Sequence, residues 1–232
     1  MKEILLTGGR TTTGVVRLGD TVRRPIASNS PFIHELLNHL ASQQFKGAPR
    51  YLGIDESNRE SLSFISGYVP VELGEFSENQ ILAGARLLRA LHEATKNSVL
   101  RGSSEVVCHG DASPCNCVFV EGIPSAFIAF DAAHAGSRLD DLGYAAWLWI
   151  DIGNVDISPE RQGQRLSAFF AAYGIETHEA VSAVIAAQSK LASRSSAPCG
   201  VRDWAEKCRD WTVLNRARLA AARSNKTIEP TR

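Results

Sequence analysis

The segment His109-Gly110-Asp111-Ala112-Ser113-Pro114-Cys115-Asn116 contains the residue types with the clearest chemical potential. It follows the apolar pair Val106-Val107 and precedes Val118-Phe119-Val120, so we predict a loop between two strands. A carboxylate such as Asp111 can accept a proton from a hydroxyl group, and the amide oxygen of Asn116 can ligate a magnesium ion on a phosphate. The residue types of this loop therefore suit phosphoryl transfer.

Two further acidic segments follow the loop. The first is the predicted strand Ala126-Phe127-Ile128-Ala129-Phe130-Asp131, which ends in a carboxylate. The second, Arg138-Leu139-Asp140-Asp141-Leu142, places Asp141 at the start of a predicted helix. Magnesium prefers oxygen ligands and retains several waters, so a few such side chains are enough to bind it.

Together these segments resemble the aminoglycoside phosphotransferase and choline kinase-like family, which has His-Gly-Asp followed by Asn at the fifth position after Asp. The resemblance implies a protein-kinase-like fold and transfer of the γ-phosphoryl group of ATP or GTP to a hydroxyl group of a small molecule. It implies that Asp111 is the catalytic base and that His109 braces the loop. Asn116 and Asp131 would bind Mg²⁺, and Asp141 would bind backbone amides of the catalytic loop.

The resemblance also assigns nucleotide-binding roles to the N-terminal part of the chain. The assigned residues are Gly8, Gly9 and Thr12 in a glycine-rich hairpin, Arg23 on a strand, Glu35 on a helix, and Phe64 and Ile65 in a hinge. The hairpin would cover the phosphates, and the hinge backbone would bind adenine. Arg23, or alternatively Arg24, would contact the phosphates, with Glu35 as its ion-pair partner.

One position departs from the family. The metal-binding Asp is expected two residues before Asp131, and Ala129 occupies that position. A methyl group cannot ligate magnesium, whereas Asp131 would lie on the same face of an extended strand, about 6.6 Å further along. Two hypotheses follow: Asp131 replaces the missing carboxylate, or the chain is an inactive, pseudokinase-like nucleotide-binding module.

The predicted elements fall into two parts. Residues 1–67 are predicted to contain five short strands and a helix over Pro31–Leu40 that Ser30 caps. Residues 68–232 are predicted to contain a helix around Ile81–Leu91, the loop with its strands, and helices to about residue 222. This order predicts an α+β, bilobal protein-kinase-like fold. Its N-terminal lobe (1–67) would bind the nucleotide, and its C-terminal lobe (68–232) would hold the catalytic and acceptor sites.

Composition narrows the possible partners. The chain has 25 basic and 25 acidic residues, so no net charge favours nucleic acid or an anionic membrane. The apolar run Tyr144–Ile150 is too short to span a bilayer, and the start of the chain shows no secretory signal. Five cysteines, an odd number, favour reduced thiols in a cytoplasm over disulfides. We therefore expect a cytoplasmic protein whose partners are a nucleotide and a small hydroxyl acceptor, with choline, sugars, amino alcohols and macrolides all open.

Overall fold

A computed structural model describes residues 2–6, 12–176 and 178–222 of the chain. The first strands are β1 (Ile4–Leu5), β2 (Val16–Leu18), β3 (Thr21–Pro25), β4 (Tyr51–Ile54) and β5 (Arg59–Ser63). They form an antiparallel sheet in the order β1-β2-β3-β5-β4. A tight turn at Gly19-Asp20 joins β2 to β3, as the sequence predicts.

Helix α1 (Ser30–Ser42) connects β3 to β4. Its buried apolar side chains recur every three or four residues, at Ile33, Leu36, Leu37 and Leu40. Pro31 lies in the first turn, where its missing N–H costs no hydrogen bond. The prediction that Ser30 caps this helix is wrong: Asn29 is the cap residue, and the Ser30 hydroxyl donates to Glu60 instead.

The middle of the chain surrounds the predicted catalytic loop with short elements. They are α2 (Glu78–Thr95), β6 (Val106–Cys108), β7 (Cys117–Val120), β8 (Ile123–Phe127) and β9 (His134–Gly136). Strand β6 pairs with β9, and β7 pairs with β8. Strand β8 stops at Phe127, earlier than predicted, because Ala129 adopts a left-handed conformation (φ 59°, ψ 59°) that an extended strand cannot contain.

The rest of the described chain is helical. The helices are α3 (Arg138–Ile150), α4 (Pro159–Tyr173), α5 (Ala180–Ala192), α6 (Cys199–Leu214) and α7 (Arg216–Ala221). The helix predicted over Arg202–Ala222 is therefore two helices, interrupted at Asn215, whose φ of −98° and ψ of 10° leave the helical region. None of the helices in the described part of the chain is both long and apolar enough to cross a membrane.

The chain divides into two compact units. The first unit contains the residues up to Glu72 and the range Leu87–Arg138, and the second contains Leu73–Arg86 and the residues from Leu139 onward. The first unit thus includes the five-stranded sheet together with the predicted catalytic loop and its strands. The lobe boundary predicted near Gly67 stays a prediction, because these units are defined by compactness and not by function.

Within the second unit, close backbone packing is made possible by glycines. A Cβ atom added to Gly143 of α3 would lie 2.3 Å from the carbonyl oxygen of Ala183 on α5. One added to Gly163 of α4 would lie 2.5 Å from the carbonyl oxygen of Leu219 on α7. The helices of this unit therefore meet backbone to backbone at these positions.

Candidate active site

The loop from His109 to Asn116 is braced by a buried imidazole. His109 has 0% of its surface exposed, and its ring packs against Phe127 and Phe130 with centroids 5.2 and 4.5 Å away. Its Nδ1 accepts a hydrogen bond from the Asp111 backbone N–H at 3.2 Å. The ring hydrogen therefore resides on Nε2, which donates to the Ile128 carbonyl at 3.0 Å. The neutral imidazole thus links the loop backbone to the segment that follows β8.

Gly110 brings this loop into contact with the turn that contains Asp131. Its φ of +76° is left-handed, and an added Cβ atom would lie 2.2 Å from the Ala132 carbonyl oxygen. Any other residue would combine backbone strain with a steric clash. The close approach of Gly110 and Ala132 places the predicted catalytic loop against the predicted metal-binding segment.

Asp111 and Asn116 belong to one hydrogen-bonded loop. The Asp111 carbonyl accepts from the Asn116 side-chain Nδ2 at 3.0 Å and from the Ser113 backbone N–H at 2.8 Å. Because Nδ2 is directed into the loop, the Oδ1 atom of Asn116 is left as the side-chain oxygen that can act as a ligand. Both residues are half-buried.

Asp131 lies in a 3-10 turn over Phe130–Ala132 and not on a strand. The argument that residues 129 and 131 share a strand face is therefore wrong, because the strand has already ended. Ala129 lies at the left-handed position just before the turn, a conformation that Asp and Asn tolerate better than other non-glycine residues. The backbone at position 129 thus suits the carboxylate that the family pattern expects there, although the side chain is a methyl group.

The basic residue next to Asp131 is Arg24. Its Nη2 donates to Asp131 Oδ1, and its side chain is only 8% exposed. Arg23 precedes it on β3 and projects to the other face, where its Nε lies 3.3 Å from Asp55 Oδ2. Of the two arginines considered from sequence, the structure brings Arg24, and not Arg23, to the predicted metal-binding segment.

The charge partner of Arg23 is itself firmly held. Burial opposes ionisation of the Asp55 carboxyl group, but hydrogen bonds from the backbone N–H and the side chain of Arg59 more than compensate, so its pKa lies below the usual value. The Arg59 Nε donates to Asp55 Oδ2 at 3.0 Å. Asp55 therefore keeps an arginine partner whatever stands at position 23.

The remaining predicted nucleotide residues are dispersed. Glu35 lies on the exposed face of α1, so the structure does not bring it to either arginine.

The predicted hinge residues Phe64 and Ile65 follow β5 and are half-buried. The Phe64 backbone N–H donates to the Asp20 carbonyl at 2.8 Å. The guanidinium of Arg17 stacks on the Phe64 ring at 3.7 Å. Thr12 is half-buried, whereas Gly8 and Gly9 lie outside the described residues.

Asp141, the predicted support residue, lies in the first turn of α3 and is 2% exposed. A carboxylate buried to this degree requires hydrogen-bonding partners. Its predicted role toward the amides of the catalytic loop stays a prediction.

Sequence reasoning missed Glu60 and His34. Glu60 on β5 is fully buried, its Oε1 lies 3.9 Å from Arg24 Nε, and its Oε2 lies 3.3 Å from His34 Nε2. A signal was available, because Glu60 shares a face of its strand with the buried Leu62. A charged residue in phase with a core residue indicates a buried ion pair, although it does not identify the partner.

Comparison with known proteins identifies the family. The family model for a phosphotransferase enzyme family matches residues 64–184, more than half of the 232 residues. The chain belongs to this phosphotransferase family. A curated relative, the trifolitoxin immunity protein of Rhizobium leguminosarum bv. trifolii, is 36% identical over 177 residues, which cover 69% of this chain and 67% of the relative. The resemblance inferred from His109, Asp111 and Asn116 is thus confirmed at the level of the family.

Solved structures of phosphotransferases share the fold. A microcompartment-associated aminopropanol kinase superposes with a TM-score of 0.64 over 95% of this chain and 93% of its own, at 14% identity. A choline/ethanolamine kinase family protein from Mesorhizobium loti gives 0.59 over 96% and 92%, also at 14% identity. An aminoglycoside phosphotransferase from Streptomyces rimosus, solved with ADP and streptomycin, gives 0.56 over 90% and 92%, at 14% identity. The phosphotransferase chain therefore has the α+β, protein-kinase-like fold predicted from its sequence.

Proposed function

We propose that this phosphotransferase transfers the γ-phosphoryl group of ATP or GTP to a hydroxyl group of a small molecule, with Asp111 as the catalytic base. The observation that carries the proposal is the fixed loop geometry: His109 binds the Asp111 backbone N–H, and Asn116 binds the Asp111 carbonyl. A loop held at both ends can present one carboxylate to a hydroxyl group in a constant position, which is what general-base catalysis needs.

We assign two protein oxygens near the loop to Mg²⁺, one from Asn116 and one from Asp131. The Asn116 Oδ1 atom is directed away from the loop's own hydrogen bond, and the Asp131 carboxylate lies in the turn against Gly110. Magnesium retains several waters and needs few protein ligands, so Asn116 and Asp131 are the residues that would hold it. Bound there, the ion would neutralise charge on the donor phosphates.

Arg24 is the residue of this site that would contact the nucleotide phosphates. Its guanidinium is fixed beside Asp131, and a planar fork suits phosphate oxygens. The hairpin from Gly8 to Gly14 would cover the phosphates, and the backbone from Ser63 to Gly67 would bind the base. These roles rest on the family pattern and on the placement of Arg24.

The acceptor is best sought among the small hydroxyl compounds that the names of the similar proteins suggest. An acceptor panel should contain aminopropanol, choline, ethanolamine and streptomycin, together with trifolitoxin because of the named relative.

The test is Asp111→Asn, which keeps side-chain size and removes the proton acceptor. We expect phosphoryl transfer from ATP to fall by about 10²–10⁴-fold with unchanged thermal unfolding, the range that general-base catalysis contributes. Activity is measured as ADP release in the presence of the acceptor panel. An Asp111→Asn protein that retains full turnover would contradict the assignment of the base.

A second candidate is a nucleotide-binding module without turnover, which the methyl group of Ala129 and the engagement of Asp131 by Arg24 favour. The discriminating variant is Ala129→Asp, which the left-handed backbone tolerates. If wild type binds ATP but releases no ADP, and Ala129→Asp gains Mg²⁺-dependent release, the natural protein is the non-catalytic form. Turnover by wild type at a rate similar to the variant would support the phosphotransferase.

A further inference from the structure

Arg24 is held between two carboxylates of the first unit. Its Nη2 donates to Asp131, and its Nε lies 3.9 Å from Glu60 Oε1. The two acids differ in exposure: the side chain of Glu60 is 0% exposed, whereas that of Asp131 is 23% exposed. The guanidinium therefore has a fully buried anchor on the sheet side and a partly open partner on the side of the catalytic loop.

Glu60 is in turn fixed by helix α1. The Ser30 hydroxyl donates to Glu60 Oε1, and His34 Nε2 lies 3.3 Å from Oε2. The His34 ring stacks on Tyr51, with ring centroids 3.8 Å apart and planes within 14°. A buried carboxylate is costly unless it is paired and hydrogen-bonded, and the orientation of Glu60 is set by these contacts.

Cross-strand register also fixes the pair. Arg24 on β3 stands directly opposite Glu60 on β5 in the antiparallel ladder. Residues directly opposite each other have Cβ atoms about 4.5–5.5 Å apart, so their side chains leave the same face of the sheet. The pairing is a property of the sheet itself, and α1 contributes a histidine and a serine to the acid rather than a carboxylate to the arginine.

We propose that Glu60 is a positioning residue that holds the Arg24 guanidinium at the edge of the catalytic loop, where nucleotide phosphates would lie. This inference rests on the proposed function, because it assigns Arg24 to the phosphates. It transfers to a strand residue the role that the sequence pattern gave to Glu35. Without the Glu60 carboxylate, the long arginine side chain would lose one of its two fixed partners and would sample other rotamers.

The primary experiment is calorimetric binding of ATP and of adenosine to Glu60→Gln. We expect the Kd for ATP to rise about tenfold, because an ion pair between two buried side chains is lost, while the Kd for adenosine stays unchanged. Adenosine lacks phosphates and would not meet Arg24. If Glu60 had a merely structural role, Glu60→Gln would weaken the binding of ATP and of adenosine alike. That result would overturn the inference.

A double-variant cycle links the effect to Arg24. In an Arg24→Gln background, Glu60→Gln should weaken ATP binding no further, because the guanidinium that it positions is gone. A double variant whose loss of ATP affinity equals the sum of the losses in the two single variants would contradict the positioning role. If Glu60→Gln does not fold, Glu60→Asp serves instead, because it keeps the charge but withdraws the carboxylate by one methylene. Glu60→Asp should likewise weaken the binding of ATP and leave the binding of adenosine unchanged.

The matched control is Glu160→Gln. Glu160 forms an acid–arginine pair with Arg218 on the exposed surface of the second unit, at 2.7 and 3.0 Å. Its loss should leave ATP binding within a factor of two of wild type. A folded Glu60→Gln protein with wild-type ATP affinity would overturn this inference alone. A wild-type protein that binds no ATP, with or without Mg²⁺, would overturn the proposed function and this inference together.

Discussion

At the scale of single residues, the site depends on two positions with left-handed backbone. Gly110 and Ala129 flank the contact between the predicted catalytic loop and the turn that contains Asp131, with φ values of 76° and 59°. Gly110 cannot be replaced by a residue with a side chain unless its neighbours move, because the Ala132 carbonyl fills the space where a Cβ atom would lie. At Ala129 the backbone suits Asp or Asn and the side chain does not contribute a ligand. Position 129 thus keeps a backbone conformation that suits a ligand residue, although its side chain cannot be a ligand.

Gly110→Ala should lower the free energy of unfolding by more than backbone strain alone. The matched control is Gly122→Ala, because Gly122 has a nearly equal φ of 78° with nothing within 4 Å of the added Cβ atom. We expect about 1–2 kcal/mol for Gly122→Ala from the left-handed conformation. Gly110→Ala should cost at least about 1–3 kcal/mol more, because the Ala132 segment has to move. Equal losses in urea unfolding would refute the clash.

At the scale of elements, strand β3 directs two consecutive arginines to opposite faces of the sheet. Alternation along the strand directs Arg24 to the buried face with Glu60 and Arg23 to the face with Asp55. Helix α1 contributes to the same buried face through Ser30 and His34. The polar network therefore joins the first sheet to helix α1 and to the turn that contains Asp131.

Neutralising the two arginines should have unequal effects on stability. Arg24→Gln leaves the carboxylate of Glu60 buried without its arginine, and removing one partner of a buried ion pair costs about 3–5 kcal/mol. Arg23→Gln leaves Asp55 paired with Arg59, so we expect a clearly smaller loss. Urea unfolding of the two variants measures the difference. A loss for Arg23→Gln as large as that for Arg24→Gln would show that the faces are misassigned.

At the scale of the whole molecule, a few short segments of the sequence are enough to predict the fold. His109, Asp111 and Asn116 identify the family because their spacing is tied to one loop, and periodic apolar residues such as Leu36 and Leu40 identify the helices. The pairing of β3 with β5 could not be predicted, because Arg24 and Glu60 are brought together by strand register and not by sequence proximity. The early end of β8 was missed because a left-handed alanine leaves no signal in composition.

Burial of thiols should make the whole molecule sensitive to alkali. Burial raises the pKa of Cys117 to about 12 and that of Cys208 to about 11, from an ordinary value of 9.0. The unfolded thiols lose protons above pH 9 while the folded ones retain them, so unfolding becomes more favourable as pH rises from 9 toward 12. The contribution is fully present below pH 9.

Denaturant unfolding at pH 8 and pH 10 tests this dependence. A Cys117→Ala/Cys208→Ala protein should lose less stability between these two pH values than wild type does. Cys199→Ala is the control, since Cys199 is exposed and its replacement should leave the wild-type dependence intact. The same pH dependence in all three proteins would show that other groups cause the alkaline loss.

The register that sets Arg24 opposite Glu60 has an evolutionary consequence. Two residues that pair inside a sheet are hard to exchange one at a time, because the intermediate leaves a buried charge without its cross-strand partner. Relatives of this chain should therefore change positions 24 and 60 together, to another ion pair or to two apolar residues, while position 35 varies freely. Covariation between strands β3 and β5 would then identify, within the phosphotransferase family, the branch in which a strand carboxylate has the positioning role proposed for Glu60.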